Sequence, residues 1–114
     1  MPKSPTLVYR WSAVPRPKAW RKARRTVYEF LQFAAASLDW PLGRVMVGRG
    51  GGHPSLIVEF PFRRTADFEA AWDRMSTDPH SEALWSRLAP LLHDSTIRRE
   101  LFAVQYARVG TTDL

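Results

Sequence analysis

The spacing of the apolar residues changes several times along the chain, and these changes limit the possible fold more than any other feature. Apolar residues at every second position are typical of a strand, whereas spacings of three and four are typical of a helix. From the N-terminus the pattern predicts a strand, a helix, two strands, a helix in two pieces and a last strand. The predicted strands cover residues 6–11, 44–48, 55–62 and 97–106, and the predicted helices cover 18–38, 65–75 and 78–92.

Turn-forming residues separate these segments. Three consecutive glycines, Gly50 to Gly52, predict a loose hairpin loop between the second and third strands. Thr65 is predicted to cap the second helix, with Asp67 in its first turn. Asp78-Pro79 is predicted to cap and begin the last helix, because Pro fits the first helical position.

This order of elements, βαββαβ, predicts one α+β fold of the ferredoxin-like type. Right-handed crossover connections place the helices on one face of a four-stranded antiparallel sheet with strand order 4-1-3-2. The third strand indicates two different faces. Leu56, Val58 and Phe60 would meet the helices, whereas Ile57 and Glu59 would point the other way.

The uncovered sheet face predicts a partner, since a partly apolar face without helices needs protection from water. We expect a second copy of the chain to pack sheet to sheet, so that the homodimer closes an α/β barrel with an interior cavity. The 114 residues suffice for one domain, residues 1–114, with its core at about 6–106.

The composition indicates a cytoplasmic protein without a cofactor. The sequence contains no cysteine, which excludes disulfides, a thiolate nucleophile and a Cys-ligated metal. No segment resembles a secretion signal or a membrane span. His53, His80 and His93 lack the local spacing of a metal site. The Gly48–Gly52 stretch is followed by a strand rather than a helix, so no phosphate-binding motif is predicted.

Charge is concentrated at the N-terminus. Residues 1–25 contain eight basic residues and no acidic ones, whereas the remaining chain contains 9 basic and 11 acidic residues. A basic N-terminal helix suggests, as an alternative function, a non-catalytic interaction module with an acidic partner. A solvated helix face explains the same charges, and nucleic acid is not expected as a partner.

Several stretches resemble a known family. Residues 62–72 (Phe-Arg-Arg-Thr-Ala-Asp-Phe-Glu-Ala-Ala-Trp), Asp78-Pro79, and residues 85–90 (Trp-Ser-Arg-Leu-Ala-Pro) are similar to the NIPSNAP-like branch of the dimeric α/β-barrel (ferredoxin-like) superfamily. The resemblance covers about residues 6–106. It implies a homodimer and a fold that is used by cofactor-free monooxygenases and cyclases and by haem-degrading oxygenases. Haem-degrading members use Asn, Trp and His. This chain has His80 and Trp72 but contains no Asn.

Polar residues of the free sheet face are the first candidates for a site. Arg10 and Glu59 should face each other on neighbouring strands, where an arginine could tune a general base. Arg99 and Gln105 are expected to join them as ligand-binding residues. The opposite phase of the last strand would bring Glu100 and Tyr106 there instead. An ordinary interface salt bridge would explain the same charges.

His53 and two tryptophans complete the candidate residues. His53 lies in the glycine-rich loop and could reach the mouth of a barrel cavity as a third catalytic residue. Trp11 and Trp40 lie at the ends of elements, where aromatic rings could contact a flat ligand. The other three tryptophans fall on helical apolar stripes and are expected in the core.

The expected function is therefore the binding of a small apolar or aromatic metabolite by a homodimeric barrel. Such a protein could also transform its ligand without a cofactor, as a monooxygenase or a cyclase does. The interaction module is the alternative, and haem binding is the third hypothesis. The identity of the ligand does not follow from the residues.

Overall fold

The computed structural model describes residues 7–105 and has the predicted order of elements. A sheet of four strands is combined with three α-helices, and two short 3₁₀ turns follow the last helix. The elements are β1 (Leu7–Ala13), α1 (Trp20–Ser37), β2 (Arg44–Gly48), β3 (Ser55–Phe62), α2 (Thr65–Ser76), α3 (Pro79–Leu88) and β4 (Arg98–Ala103), with 3₁₀ turns at Ala89–Leu91 and Asp94–Thr96.

The sheet is antiparallel, with strand order β2-β3-β1-β4. This is the predicted order 4-1-3-2, so the α+β ferredoxin-like fold is confirmed. The central pair is β1 and β3, whose register places Arg10 opposite Glu59 and Trp11 opposite Val58. Strand β4 lies at the edge beside β1 and ends at Ala103, three residues earlier than predicted.

The helix starts differ in part from the sequence prediction. Asp78 caps α3 as predicted, because its Oδ2 accepts a 2.8 Å hydrogen bond from the backbone N–H of Ser81. Thr65, however, is the first residue of α2 rather than its cap. The capping position belongs to Arg64, whose carbonyl accepts from the N–H of Asp67 at 3.1 Å.

Helix α1 starts two residues later than predicted. Lys18 has a φ of 71°, a left-handed conformation that cannot continue into a right-handed helix. The helix therefore begins at Trp20. At its other end Asp39 also has a positive φ, 54°, and the chain turns there toward β2.

The core lies between one face of the sheet and the helices. Alternate residues of β1 and β3 point into it and are buried, among them Tyr9, Leu56 and Phe60. Gly43 allows α1 and β2 to come close, since a Cβ there would lie 2.7 Å from Phe60 Cε1 and 2.8 Å from Leu31 Cδ2. We call this side of the sheet the helix face.

The opposite side of the sheet carries the remaining side chains of each strand. We call it the free face. Its members follow from the register of the strand pairs, because directly opposite residues share a face. They are Val8, Arg10, Ser12, Arg44, Met46, Ser55, Ile57, Glu59, Pro61, Arg98, Glu100 and Phe102.

Candidate functional site

A pocket of about 370 Å³ lies between the helix face and the helices. Strands β1 and β3 form its floor, α1 forms one wall, and α2 and α3 form the other. The lining is mostly apolar. It consists of Tyr9, Trp11, Thr26, Val27, Phe30, Leu31, Trp40, Val58, Phe60, Trp72, Met75, Ser76, Ser81, Glu82, Leu84, Trp85, Leu88 and Arg99.

Aromatic rings determine the shape of this pocket. Tyr9 stacks on Phe60 with ring centroids 6.3 Å apart and meets Trp40 and Trp72 edge to face at 6.2 and 5.7 Å. Four of the five tryptophans of the chain are among the lining residues. Such offset and edge-on contacts hold large, stiff rings in place, so the walls of the pocket are well defined.

Trp40 lies inside this core rather than at the mouth of a barrel. Only 4% of it is exposed, and its indole Nε1–H donates a 2.9 Å hydrogen bond to the carbonyl of Ala71 on α2. Its backbone N–H also bonds to the carbonyl of Ala34, which ties the end of α1 to this position. The predicted location of Trp40 is therefore wrong, although the ring does line a pocket.

Trp11 is also buried on the helix face, because its side chain alternates with those of Arg10 and Ser12 on β1. Its predicted place at the barrel mouth is wrong for this reason. The ring lines the pocket and contacts Trp85 edge to face at 6.4 Å. Trp85, expected in the core, is 36% exposed and forms part of the pocket wall.

Arg99 lies on the helix face, not on the free face where it was predicted. It pairs with Trp11 across β1 and β4, whereas Glu100 pairs with Arg10. Phe102 is 38% exposed on the free face, and Leu101 is 44% exposed on the helix face. Because both faces of β4 carry apolar and charged residues, its sequence pattern does not determine its phase. The pairing of β4 with β1 determines which residues of β4 face the helices.

Gln105 was expected beside Arg99, but it lies beyond the end of β4 and is exposed. Two residues after the strand ends, alternation no longer determines the direction of a side chain. Tyr106, which belonged to the alternative phase, lies outside the described residues.

Two polar groups stand out in the pocket, the hydroxyl of Tyr9 and the guanidinium of Arg99. Burial raises the pKa of Tyr9 to about 12, and the positive charge of Arg99 and its interaction with the hydroxyl act in the opposite direction. The phenol therefore stays protonated at neutral pH. The guanidinium of Arg99 lies over the ring of Trp85, 5.0 Å from its centroid.

Tyr9 was not selected as a site residue from the sequence. The available signal was an ionisable hydroxyl on the otherwise apolar face of β1, between Leu7 and Trp11. Ser81 was missed as well. It is 6% exposed and lines the pocket, and its Oγ has no hydrogen-bond partner among residues 7–105.

The free face carries a cluster of charges around Glu59. Arg10 Nε–H donates to Glu59 Oε2 at 2.8 Å, and Arg10 Nη2 lies 2.6 Å from the same oxygen, which confirms the predicted cross-strand contact. Arg44, opposite Glu59 on β2, donates to Oε1 at 2.8 Å. The guanidinium of Arg10 also lies 4.9 Å from the centre of the Phe102 ring.

The arginines determine the charge state of Glu59. Burial by itself would raise the pKa of this carboxyl, but hydrogen bonds and charges from Arg44 and Arg10 outweigh it and lower the pKa below 4.5. Glu59 is therefore ionised and doubly paired at neutral pH. The pocket and this cluster use opposite faces of the same strands.

The histidines lie apart from the pocket. His53 is exposed in the β2–β3 loop, where Gly51 and Gly52 have φ values of 76° and 87°. His80 on α3 contacts the ring of Phe33 at 4.3 Å. Within residues 7–105, His and carboxylate side chains nowhere gather into a group that could hold a metal ion.

Comparisons with known proteins place the chain by its fold. Neither a family model nor a curated protein sequence matches it. A NIPSNAP family protein from Agrobacterium tumefaciens superposes with a TM-score of 0.74 and 14% identity, over 92% of this chain and 90% of the other. SnoaB from Streptomyces nogalater, a cofactor-independent oxygenase, gives 0.64 and 11%, over 94% and 100%. A dimeric ferredoxin-like protein of unknown function from Jannaschia gives 0.61 and 13%, over 86% and 99%.

The fold is therefore that of the ferredoxin-like α+β proteins, and the resemblance to NIPSNAP-like proteins is confirmed for the fold alone. At these identities the similarity concerns the backbone arrangement and not the activity. Within the described residues, no helix has the length and apolar character that crossing a membrane requires.

Proposed function

We propose that this protein binds a small, flat aromatic metabolite in the pocket between its sheet and its helices. The observation that carries the proposal is the cavity of about 370 Å³ lined by four tryptophans, Tyr9 and Phe60. Small-molecule sites are typically concave and mostly apolar, with a few polar groups that orient the ligand. The volume is within the range of such sites.

The aromatic lining of the pocket determines which ligands it can stabilise. Aromatic walls favour a planar apolar ligand through stacking and the removal of its surface from water. A strongly hydrated ligand would lose its water with few hydrogen bonds in return. A flat ring system with one or two polar substituents matches both conditions.

Catalysis is the finer part of this proposal. The similarity of SnoaB, a cofactor-independent oxygenase, suggests oxygenation or ring closure of the bound metabolite without a cofactor. The chain has no cysteine that could act as a nucleophile. Its contribution would be to orient the ligand and to place the charge of Arg99 and the hydroxyl of Tyr9 beside it.

Binding can be measured with naphthalene-2-carboxamide, a neutral flat probe, through quenching of tryptophan fluorescence. We expect saturable quenching, because the probe would lie against Trp11, Trp72 and Trp85. A Val27→Phe variant fills the pocket from α1 and should weaken binding by about tenfold or more, since the ring takes the space of the probe.

Val45→Phe is the matched control for this experiment. It adds the same volume on the helix face but lies on β2, outside the pocket lining. Circular dichroism verifies that both variants fold. The proposal fails if the wild type shows no saturable quenching, or if both variants bind the probe as well as the wild type does.

We further propose that the protein is a homodimer paired through its free face, as the fold of the dimeric Jannaschia protein suggests. Ile57→Glu should then shift the protein to a monomer in analytical ultracentrifugation, because it places charge on that face. Tyr28→Glu, at an exposed position of α1 on the other side of the sheet, is the control. The predicted catalytic roles of Arg10, Glu59 and His53 depend on a closed barrel, and a monomeric wild type would remove their basis.

An interaction module is the second candidate function. Arg21, Arg24 and Arg25 are exposed on α1 and line a shallow groove with Tyr28. This arrangement would suit an acidic partner, and salt-dependent retention on heparin tests it. If the wild-type protein elutes from heparin already in low salt, at the same position as the Arg21→Gln variant, the interaction module is contradicted.

The cytoplasmic location of the protein stays a prediction.

A further inference from the structure

Arg99 is an exposed residue of β4, but its side chain reaches the pocket and lines it. It lies on the helix face of β4, directly opposite Trp11, and its guanidinium covers the ring of Trp85. Trp85 in turn contacts Trp11 edge to face. A strand on one side and an aromatic ring on the other therefore hold the charge of Arg99 at the pocket wall.

The charge of Arg99 is not neutralised within the part of the chain that the structure describes. Other arginines there form ion pairs, such as Arg10 and Arg44 with Glu59. No acidic side chain among residues 7–105 pairs with Arg99 in the same way. Among the described lining residues, Arg99 is also the only cation, and Glu82 is the only anion. The cation of the pocket is thus available to a ligand.

Tyr9 supplies a hydrogen-bond donor beside this cation. Tyr9 pairs with Leu101, two residues from Arg99 along β4, so the two side chains are diagonal neighbours on the same face. The phenol is 6% exposed, and its raised pKa keeps the proton on the oxygen. A neutral phenol can donate one hydrogen bond to an acceptor in the pocket.

We propose that the ligand of the pocket carries an oxyanion conjugated to its flat ring, and that Arg99 and Tyr9 bind this oxyanion. A carboxylate and an ionised phenol or enol share this chemistry. Both present a delocalised negative oxygen that accepts from a guanidinium and from a hydroxyl. The inference rests on the proposed function, because it specifies the ligand class of the same pocket.

The experiment compares two probes of nearly the same shape, naphthalene-2-carboxylate and the neutral naphthalene-2-carboxamide. Wild-type protein should bind the carboxylate about tenfold more tightly, since charge-assisted hydrogen bonds are the stronger ones. In Arg99→Gln this preference should fall to about twofold or less, while affinity for the carboxamide stays nearly constant. Tryptophan fluorescence reports both affinities. A third probe, 2-naphthol titrated above and below its own pKa, distinguishes a phenolate from a carboxylate.

Arg98→Gln is the matched control. It removes the same charge from the neighbouring residue, but Arg98 lies opposite Ser12 on the free face. If Arg99 binds the oxyanion directly, Arg98→Gln should keep the preference for the carboxylate. Tyr9→Phe should reduce the preference about threefold, because it removes one donor and leaves the ring. Arg99→Lys should retain part of it, because the charge remains but the planar fork is lost.

The results separate two kinds of failure. If neither probe binds, the proposed function itself fails. If both bind with equal affinity, or if Arg99→Gln keeps the preference, the pocket is real but the assignment of the oxyanion is overturned. An equal loss in Arg98→Gln and Arg99→Gln would also overturn it, because the preference would then come from the overall positive charge.

Discussion

The two faces of the sheet differ in chemistry although they are made by the same strands. On the helix face, Tyr9 and Trp11 of β1 lie opposite Phe60 and Val58 of β3 and form the floor of a pocket. On the free face, Arg10 of β1 and Arg44 of β2 form a charge cluster with Glu59 of β3. A shift of one residue would exchange these two surfaces completely.

The difference concerns how each face satisfies its polar groups. Glu59 on the free face already accepts from two arginines and needs no ligand to balance its charge. Arg99 and Tyr9 on the helix face border an open cavity, and Arg99 has no carboxylate partner among residues 7–105. An incompletely satisfied polar pair in an apolar cavity is the better candidate for ligand binding. A satisfied cluster is the better candidate for a structural role.

Truncation of neighbouring residues on β3 gives the largest expected effect. Leu56→Ala should lower the free energy of unfolding by about 2–5 kcal/mol, because Leu56 is fully buried on the helix face. Ile57→Ala should cost less than half as much in dilute protein, because Ile57 is only partly buried on the free face. Urea unfolding measures both. Equal losses would mean that the two faces are not distinct in packing.

The alkaline stability of the helix face is the next test. Between the ordinary pKa of 10.0 and the raised pKa of about 12, the unfolded chain ionises Tyr9 and the folded chain does not. The stability of the wild type should therefore fall as the pH rises through this window, by up to about 3 kcal/mol. The Tyr9→Phe variant lacks this ionisable hydroxyl, so its stability should fall less over the same pH window. The prediction is contradicted if wild type and variant lose stability in parallel.

Acid unfolding tests the free face in the opposite pH range. Because the folded-state pKa of Glu59 is lowered, its ion pairs stabilise the protein above 4.5 and lose this effect as the pH falls through the lowered value. At neutral pH Glu59→Gln should be about 1 kcal/mol less stable, since both arginines are partly exposed and their charges are screened. The difference from the wild type should disappear in acid. A constant difference across the pH range would exclude the ionic explanation.

An ion pair outside both faces should have the smallest effect. Arg87 on α3 and Glu29 on α1 interact at 3.1 Å, with both side chains largely exposed. Arg87→Gln should change the stability by about 0.5 kcal/mol or less. Arg24→Gln, an exposed arginine of α1, serves as the comparison. A loss for Arg87 as large as that for Glu59 would show that location on the sheet does not decide the strength of an ion pair.

The sequence predicted most of the fold because its local signals agreed with one another. The alternation along β3, the helical stripe of α1 and the Asp78-Pro79 cap each have a clear local cause, and all three are present in the structure. Candidate residues were predicted less well. Arg10 and Glu59 do pair as expected, but Trp40 and Arg99 lie elsewhere, because their positions depend on packing and on strand register.

By itself, the sequence determined which residues of β3 face the helices, since alternation in a strand leaves two choices and burial favours one. The tertiary structure alone decided the phase of β4 and the presence of a pocket. The phase of β4 follows from hydrogen bonding to β1, because apolar and charged residues occur on both of its faces. The cavity exists because the stiff rings around Tyr9 do not fill the space between the helices and the sheet, a property of their arrangement that residue order alone does not reveal.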